Sequence, residues 1–126
     1  MKVLLVNGSP HEKGCTNMAL SIVGEALEKE GIQTEVFWIG NKPLTGCIGC
    51  GYCGKKGKCR YEDRVNEFLD MDEEYDGFVF GVPVHFASAA ASMSAFMDRS
   101  FFVDHCADRK IFELKPGAVV VSARRA

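Results

Sequence analysis

Four of the chain's six cysteines fall within thirteen residues, in the stretch CIGCGYCGKKGKC. The spacing is Cys-x2-Cys-x2-Cys-x5-Cys, and glycines between the thiols allow the backbone to fold tightly. Structural zinc sites commonly use two separated cysteine pairs, whereas three cysteines at consecutive short intervals suit the corners of an iron–sulfur cluster. The residues therefore predict a 4Fe-4S cluster held by Cys47, Cys50, Cys53 and Cys59. Zinc, or unliganded and redox-active thiols, remain alternatives.

A second candidate site is the loop GSPHEKGCTN, which joins an apolar run to a helical pattern. Gly8 and Gly14 allow close approach of the backbone, and Ser9, Thr16 and Asn17 add short side-chain donors. The N-terminus of a helix offers unpaired N–H groups and favours anions. The loop lacks the Gly-Lys-Ser/Thr ending of a P-loop and the G-x-G-x-x-G pattern. It therefore predicts a site for a phosphate or phosphomonoester.

Strand and helix patterns alternate along the chain, and this order predicts where in the fold these loops lie. KVLLVNG, QTEVFWI, GFVFGV and GAVVVS read as strands, and the apolar runs without alternation indicate strands covered on both faces. The order β-α-β-α-β-α-β predicts an α/β fold with a doubly wound parallel sheet. Ligands bind such sheets at the carboxyl ends of the strands. The loops NGSPHEKGCTN, PVHFAS and SARRA leave those ends.

Three helices are expected between the strands. The first starts at a cap formed by Thr16 or Asn17, ends near Gly31, and presents a face that includes Met18 and Ile22. A second opens at Asp63. A third runs from residue 87 to about residue 103, with positions 93, 96, 97 and 101 at helical spacing and the first three of these expected in the core. The cysteine that follows is expected to be an ordinary thiol, and no role is assigned to the histidine before it.

Length and composition limit the classes of protein to which this chain can belong. The 126 residues suit a single domain over 1–126, and 47% hydrophobic with 25% charged residues is typical of a globular protein. A formal net charge of -2 gives no general attraction for nucleic acid or an anionic membrane. The chain has no apolar segment of membrane-spanning length, and its start is too short for a secretory signal. We therefore expect a cytoplasmic protein with reduced thiols.

Several of these motifs resemble one known family. GSPHEKGCTN is similar to the GSP-x-x-x-G-x-T phosphate loop of the NADPH-dependent FMN reductase family, within the flavodoxin-like superfamily. PVHFASAAASMSAFMDR resembles that family's Pro-Val-aromatic segment with its later Phe-x-Asp-Arg, whose Asp98 and Arg99 we interpret as a structural tie. The cysteine stretch and VVVSARRA resemble the iron–sulfur flavoprotein branch. The resemblance spans essentially the whole chain and implies a flavodoxin-like fold with FMN.

The resemblance also implies which residues surround FMN. Two of them depart from the family pattern, since Cys15 stands where the family often has Asn and His11 where it often has Arg. His85 is expected beside the flavin, with acid–base duty as a further possibility. The implied contacts are Ser9, His11, Cys15, Thr16, Asn17 and Met18 for the phosphate, Pro83, Val84, His85 and Phe86 along the isoalloxazine, and Ser122, Ala123 and Arg124 at the ring's polar edge.

The implied function is that of an FMN-dependent oxidoreductase. NAD(P)H or a ferredoxin-like donor would reduce FMN, which would pass electrons to a small-molecule acceptor, with a homo-oligomer as the expected assembly. The alternative is a non-enzymatic flavin or iron–sulfur electron carrier or redox sensor. Nucleic acid and membrane are not expected partners.

The C-terminal end carries a separate expectation. A flavodoxin-like sheet usually has five strands, whereas this chain ends at Ala126 just after the fourth. The apolar AVVV would then be an uncovered edge strand, which is prone to pairing and aggregation. We expect a fragment of a longer chain, incomplete at its C-terminus, in preference to a partner chain that covers this edge.

Overall fold

A computed structural model describes residues 1–71 and 75–124. The predicted SARRA loop is thus described up to Arg124, and Arg125 and Ala126 lie outside the described residues. Within the described ranges, no helix combines the length and apolar character that crossing a membrane requires. The elements are β1 (Lys2–Asn7), α1 (Cys15–Lys29), β2 (Gln33–Trp38), α2 (Tyr52–Lys56), α3 (Arg64–Leu69), β3 (Gly77–Pro83), α4 (Ala91–Ala107) and β4 (Gly117–Ser122).

The four strands form one parallel sheet in the order β2-β1-β3-β4, which confirms the predicted doubly wound architecture. β1 is central, and its residues from Val3 to Asn7 are buried, as the continuous apolar run predicted. The chain order reverses between β1 and β3, so the loops that leave these two strands lie side by side. This reversal is where ligands bind in open parallel sheets.

Both faces of the sheet are covered by helices. On one face Phe68 of α3 packs edge-on against Phe96 of α4, with ring centroids 5.1 Å apart. The predicted core residues Met93 and Phe96 are fully buried there. On the other face Leu20 of α1 joins a smaller cluster from β1 and β3. Each fully buried Leu or Phe contributes about 1.5–3 kcal/mol, so these two layers hold the carboxyl edge of the sheet in place.

The first helix begins differently from its prediction. α1 starts at Cys15, and its N-cap is Gly14, which makes no side-chain hydrogen bond. The predicted caps, Thr16 and Asn17, are therefore wrong, since both lie inside the first turn. The C-terminal prediction is confirmed, because Gly31 follows the C-cap with a φ of 79° and occupies the left-handed region that glycine favours.

The buried face of α1 also differs from the predicted one. Met18 and Ile22 were expected inside, yet they are 67% and 63% exposed. The helix instead turns Leu20 and Gly24 towards the sheet. A Cβ at Gly24 would lie 3.1 Å from Leu5 Cδ1, so the absence of a side chain lets the helix approach β1 closely.

The other two predicted helix starts have opposite outcomes. Asp63 caps α3 as predicted, and its Oδ1 accepts a hydrogen bond from Val65 N at 3.1 Å. α4 begins at Ala91 and not at the predicted Ala87, whose φ of 51° is left-handed. The intervening residues form a tight loop closed by a bridge between Val84 and residue 89.

β4 is the edge strand of the sheet in the described part of the chain. Val119 and Val121 are 59% and 60% exposed, and they lie on the face that carries their paired neighbours Phe80 and Val82. Val120 points to the other face and packs with the α1 cluster. Within the described residues, β4 therefore exposes apolar side chains on one face.

Candidate functional site

Three loops meet at the carboxyl edge of the sheet, after β1, β3 and β4. Gly8 N donates to Gly81 O at 2.9 Å, which joins the first loop to β3. Val84 N donates to Ser122 O at 2.9 Å, and the hydroxyls of Thr16 and Ser122 share a hydrogen bond of 2.7 Å. The three predicted segments are therefore brought together at one site.

The first loop is held in one conformation by its own polar groups. The buried Asn7 accepts a hydrogen bond from Ser9 N and donates to Glu12 O, both at 3.0 Å. Ser9 Oγ accepts from His11 N at 3.1 Å, and Trp38 Nε1 donates to Ser9 O at 2.8 Å. Sequence reasoning missed Asn7 and Trp38. An asparagine that ends a buried strand was the available signal, because its side chain readily bonds to nearby backbone.

The start of α1 presents free backbone donors to this site. Met18 N donates to Gly14 O at 3.0 Å, so the N–H groups of Cys15, Thr16 and Asn17 precede the first intrahelical bond. No acidic residue lies in this first turn and no side chain caps it. With the positive end of the helix dipole, these groups fit a phosphate dianion.

The predicted FMN contacts divide by exposure. Ser9 and Thr16 are 5% and 2% exposed, and their hydroxyls are bonded within the loop and to β4. Phe86 is 93% exposed, so ordinary core packing does not explain it. The exposed members are His11, Cys15, Met18, His85, Phe86, Ala123 and Arg124, the half-buried ones are Asn17, Val84 and Ser122, and the buried ones are Ser9, Thr16 and Pro83.

Gly8 is required where this loop leaves the sheet. A Cβ there would lie 2.5 Å from Met93 Sδ and 2.7 Å from Gly81 O. The Gly81 carbonyl is part of the backbone of β3, so it cannot move aside as a flexible side chain could. We expect Gly8→Ala to lower the free energy of unfolding by about 1–3 kcal/mol, because overpacking must displace backbone. Urea denaturation measures this. The control is Gly117→Ala, where a Cβ meets nothing within 4 Å, and equal stabilities of the two variants would contradict the prediction.

The cysteine segment lies between β2 and α3, against α4. Cys47 and Cys50 are exposed, Cys53 is buried in α2, and Cys59 is half-buried. Among the described residues, no group of three His, Cys, Asp or Glu side chains is arranged to hold a metal ion. The donor set suits a cluster chemically, but the thiols as arranged here do not fit one.

Arg99 fixes the last cysteine of the motif. Its Nε and Nη2 donate to Cys59 Sγ at 3.3 and 3.2 Å, and its Nη1 and Nη2 donate to the Asp63 carboxylate at 2.8 and 3.0 Å. The side chain is 1% exposed. Burial alone would lower the pKa of Arg99, but Asp63 and Cys59 outweigh it and raise that pKa. The structural tie expected of Arg99 is confirmed, and Asp98 adds a second one by accepting from Cys47 N.

Cys53 has a partner outside the motif. Its thiol is 6% exposed and packs within the larger core cluster. Burial, followed by the neighbouring Cys106 thiol and a hydrogen bond shared with it, raises the pKa of Cys53. Cys106 lies in the last turn of α4 and is exposed. The packing of α2 on α4 brings the two cysteines near each other, and a Cβ at Gly54 would lie 3.7 Å from Cys106 O.

The sheet order and the loop at the start of α1 define a flavodoxin-like α/β protein. RosB and an NAD(P)H:quinone oxidoreductase are among the solved structures that share this fold with the chain. RosB, with the bound intermediate 8-demethyl-8-formylriboflavin-5'-phosphate, superimposes with a TM-score of 0.73 at 21% identity, over 100% of this chain and 53% of RosB. An NAD(P)H:quinone oxidoreductase from Methanothermobacter marburgensis gives 0.69 at 15% identity, over 100% of this chain and 68% of that one.

The chain belongs to the NADPH-dependent FMN reductase family, whose model matches residues 1–126. It is 40% identical over 100 residues to an iron–sulfur flavoprotein of Methanocaldococcus jannaschii, covering 79% of this chain and 52% of that protein. An iron–sulfur flavoprotein of Archaeoglobus fulgidus is 32% identical over 105 residues, covering 83% and 48%. The resemblance found in the motifs is thus confirmed, and the chain spans about half the length of the curated relatives it matches.

Proposed function

We propose that this chain binds FMN and serves an oxidoreductase that takes electrons from NAD(P)H and passes them to a small-molecule acceptor. The observation that carries the proposal is the uncapped N-terminus of α1, which faces the junction of the three carboxyl-edge loops. Family membership supports the identity of the cofactor and the reaction class.

In this proposal the chain binds and orients the flavin. When bound, FMN supplies the two-electron redox chemistry, and no protein base is needed for hydride transfer. The backbone N–H groups at 15–17 hold the phosphate, and the exposed Cys15 and Met18 flank it. Segment 83–86 lies along the ring, where the exposed Phe86 offers an apolar surface to a flat aromatic ligand. Residues 122–124 approach the polar edge of the ring.

We also propose that the motif cysteines accept an iron–sulfur cluster. The spacing of Cys47, Cys50, Cys53 and Cys59 supports this, as do the names of the two relatives described above. The N–H groups that Arg99 donates to Cys59 Sγ are compatible with a thiolate ligand, whereas the buried Cys53 would have to move for the four thiols to converge.

The proposed activity is tested on protein purified without oxygen. We expect a flavin absorption spectrum with one FMN per chain, and steady-state oxidation of NADPH when FMN and ferricyanide are supplied. Bound flavin without turnover would favour the electron carrier or redox sensor. Failure to bind FMN at all would contradict the whole proposal.

Metal analysis of the same sample tests the cluster separately. We expect about four iron and about four acid-labile sulfide per chain, the content of a cluster held by four thiolates. Zinc without acid-labile sulfide would contradict the cluster and indicate that the motif binds zinc. Flavin without any metal would leave an FMN protein with free thiols in the 47–59 segment.

A further inference from the structure

Trp38 joins the loop after β1 to the neighbouring strand, although it lies outside the sequence of that loop. It is the last residue of β2, and its Nε1 donates to Ser9 O at 2.8 Å. In the parallel register of β1 and β2, Trp38 pairs with Asn7, so the indole lies beside the point where the loop leaves the sheet. The chain contains one tryptophan, so this side chain can be replaced without changing any other residue.

The main chain at Trp38 is held by α3. Arg64 Nε donates to Trp38 O at 3.0 Å, and the guanidinium carbon of Arg64 lies 4.1 Å from the centroid of the Phe37 ring. Phe37 is buried in the larger core cluster. The indole N–H therefore extends from a strand end that a hydrogen bond and core packing both hold in place.

Ser9 is the residue at which the contacts of the loop converge. Its N–H donates to Asn7 Oδ1 and its carbonyl accepts from Trp38. Its Oγ accepts from His11 N at 3.1 Å. In the part of the chain that the structure describes, no acceptor takes the proton of the Ser9 hydroxyl, so this proton is available to a ligand oxygen. Three protein groups thus fix a hydroxyl that still has a hydrogen bond to donate.

We propose that Trp38 is a positioning residue for the FMN phosphate, an inference that rests on the proposed binding of FMN. The indole N–H holds the peptide between Ser9 and Pro10 before the ligand arrives, so the loop loses less freedom on binding. A carbonyl oxygen carries partial negative charge, and Ser9 O repels a nearby phosphate less when a donor engages it than when it is free. Trp38 therefore acts through Ser9 and favours FMN over a flavin that lacks the phosphate.

Replacing one group of the indole tests this role in the full, flavin-free chain. Expression in a tryptophan auxotroph supplied with benzothienylalanine changes Trp38 alone and puts sulfur where the N–H was, with nearly the same ring shape. We expect the dissociation constant of FMN to rise about fivefold, which corresponds to one lost hydrogen bond of about 1 kcal/mol. The dissociation constant of riboflavin should not change. Quenching of flavin fluorescence measures both, and Trp38→Phe should shift them in the same way.

Two controls isolate the hydrogen bond. Fluorotryptophan at position 38 keeps the N–H and should preserve the parent's ratio of FMN to riboflavin affinity. Tyr75→Phe removes the hydrogen bond of another aromatic side chain, to Glu35 and away from this loop, and should leave both constants unchanged. Equal losses for FMN and riboflavin, or no loss for either, would overturn the role of Trp38 and leave FMN binding intact. A parent protein that binds no FMN would contradict the proposed function and this inference with it.

Discussion

Replacing Arg99 with methionine is expected to lower the free energy of unfolding by about 3 kcal/mol. The variant leaves the Asp63 carboxylate without its charged partner and the Cys59 sulfur without two donors. Breaking a buried ion pair typically costs about 3–5 kcal/mol. The lower end applies because the Asp63 side chain is 27% exposed and can recover contact with water. Urea denaturation followed by circular dichroism measures the change.

Two further variants separate the contributions of charge and shape. Arg99→Lys keeps the charge but loses the planar fork that reaches two acceptors, so we expect an intermediate loss. Asp63→Asn keeps a side-chain oxygen able to cap α3 but removes the charge that Arg99 faces. The coupling energy between Arg99→Met and Asp63→Asn should exceed about 0.5 kcal/mol. A stability of Arg99→Met within about 0.5 kcal/mol of the parent would contradict this account.

Cys15→Asp is expected to weaken FMN binding about 30-fold while leaving riboflavin binding unchanged. The substitution places a carboxylate at the first position of α1, where the phosphate is proposed to bind. Two unit charges about 4 Å apart repel by about 1 kcal/mol in water, and a phosphomonoester carries nearly two charges. The resulting loss of about 2 kcal/mol corresponds to that factor in the dissociation constant. Quenching of flavin fluorescence measures both ligands.

The matched control is Cys15→Asn, which has the same shape without the charge and should bind FMN as the parent does. The aspartate should also stabilise the flavin-free protein by about 0.3–1 kcal/mol, because an acid at a helix N-terminus interacts favourably with the helix dipole. A more stable variant that binds FMN poorly cannot be explained by misfolding. Equal losses for FMN and riboflavin, or no loss for either, would place the phosphate elsewhere.

The sheet was predictable because its strands carry strong, local signals. A short continuous apolar run that ends at turn residues, such as the one from Val3 to Val6, is typical of a strand covered on both faces. The helix termini were less accessible. Thr16 has the chemistry of a cap, yet it is buried in the first turn because its hydroxyl reaches Ser122 on a strand more than a hundred residues away. A tertiary contact therefore overrode a local preference.

In the site, too, features that are contiguous in sequence were predictable, and contacts between residues far apart in sequence were not. The loop after β1 and the cysteine spacing are readable as motifs because each is contiguous in sequence. The approach of α2 to the end of α4 and the anchoring of Cys59 by Arg99 depend on tertiary packing between distant parts of the chain. Neither spacing nor composition carries that information. The five-residue helix α2 was also missed, since it lies between two left-handed glycines that by themselves indicate a loop.

The two halves of the cysteine segment differ in burial and in the side-chain hydrogen bonds that hold them. The half that contains Cys59 is already ordered, because Asn66 accepts from Cys59 N and donates to Cys59 O, both at 2.9 Å. The half that contains Cys47 and Cys50 is exposed along its length. Fixing such backbone costs about 1–2 kcal/mol per residue. A metal ion or cluster bound by these thiols would therefore find Cys59 already fixed, and its binding would have to fix the more exposed turn that carries Cys50.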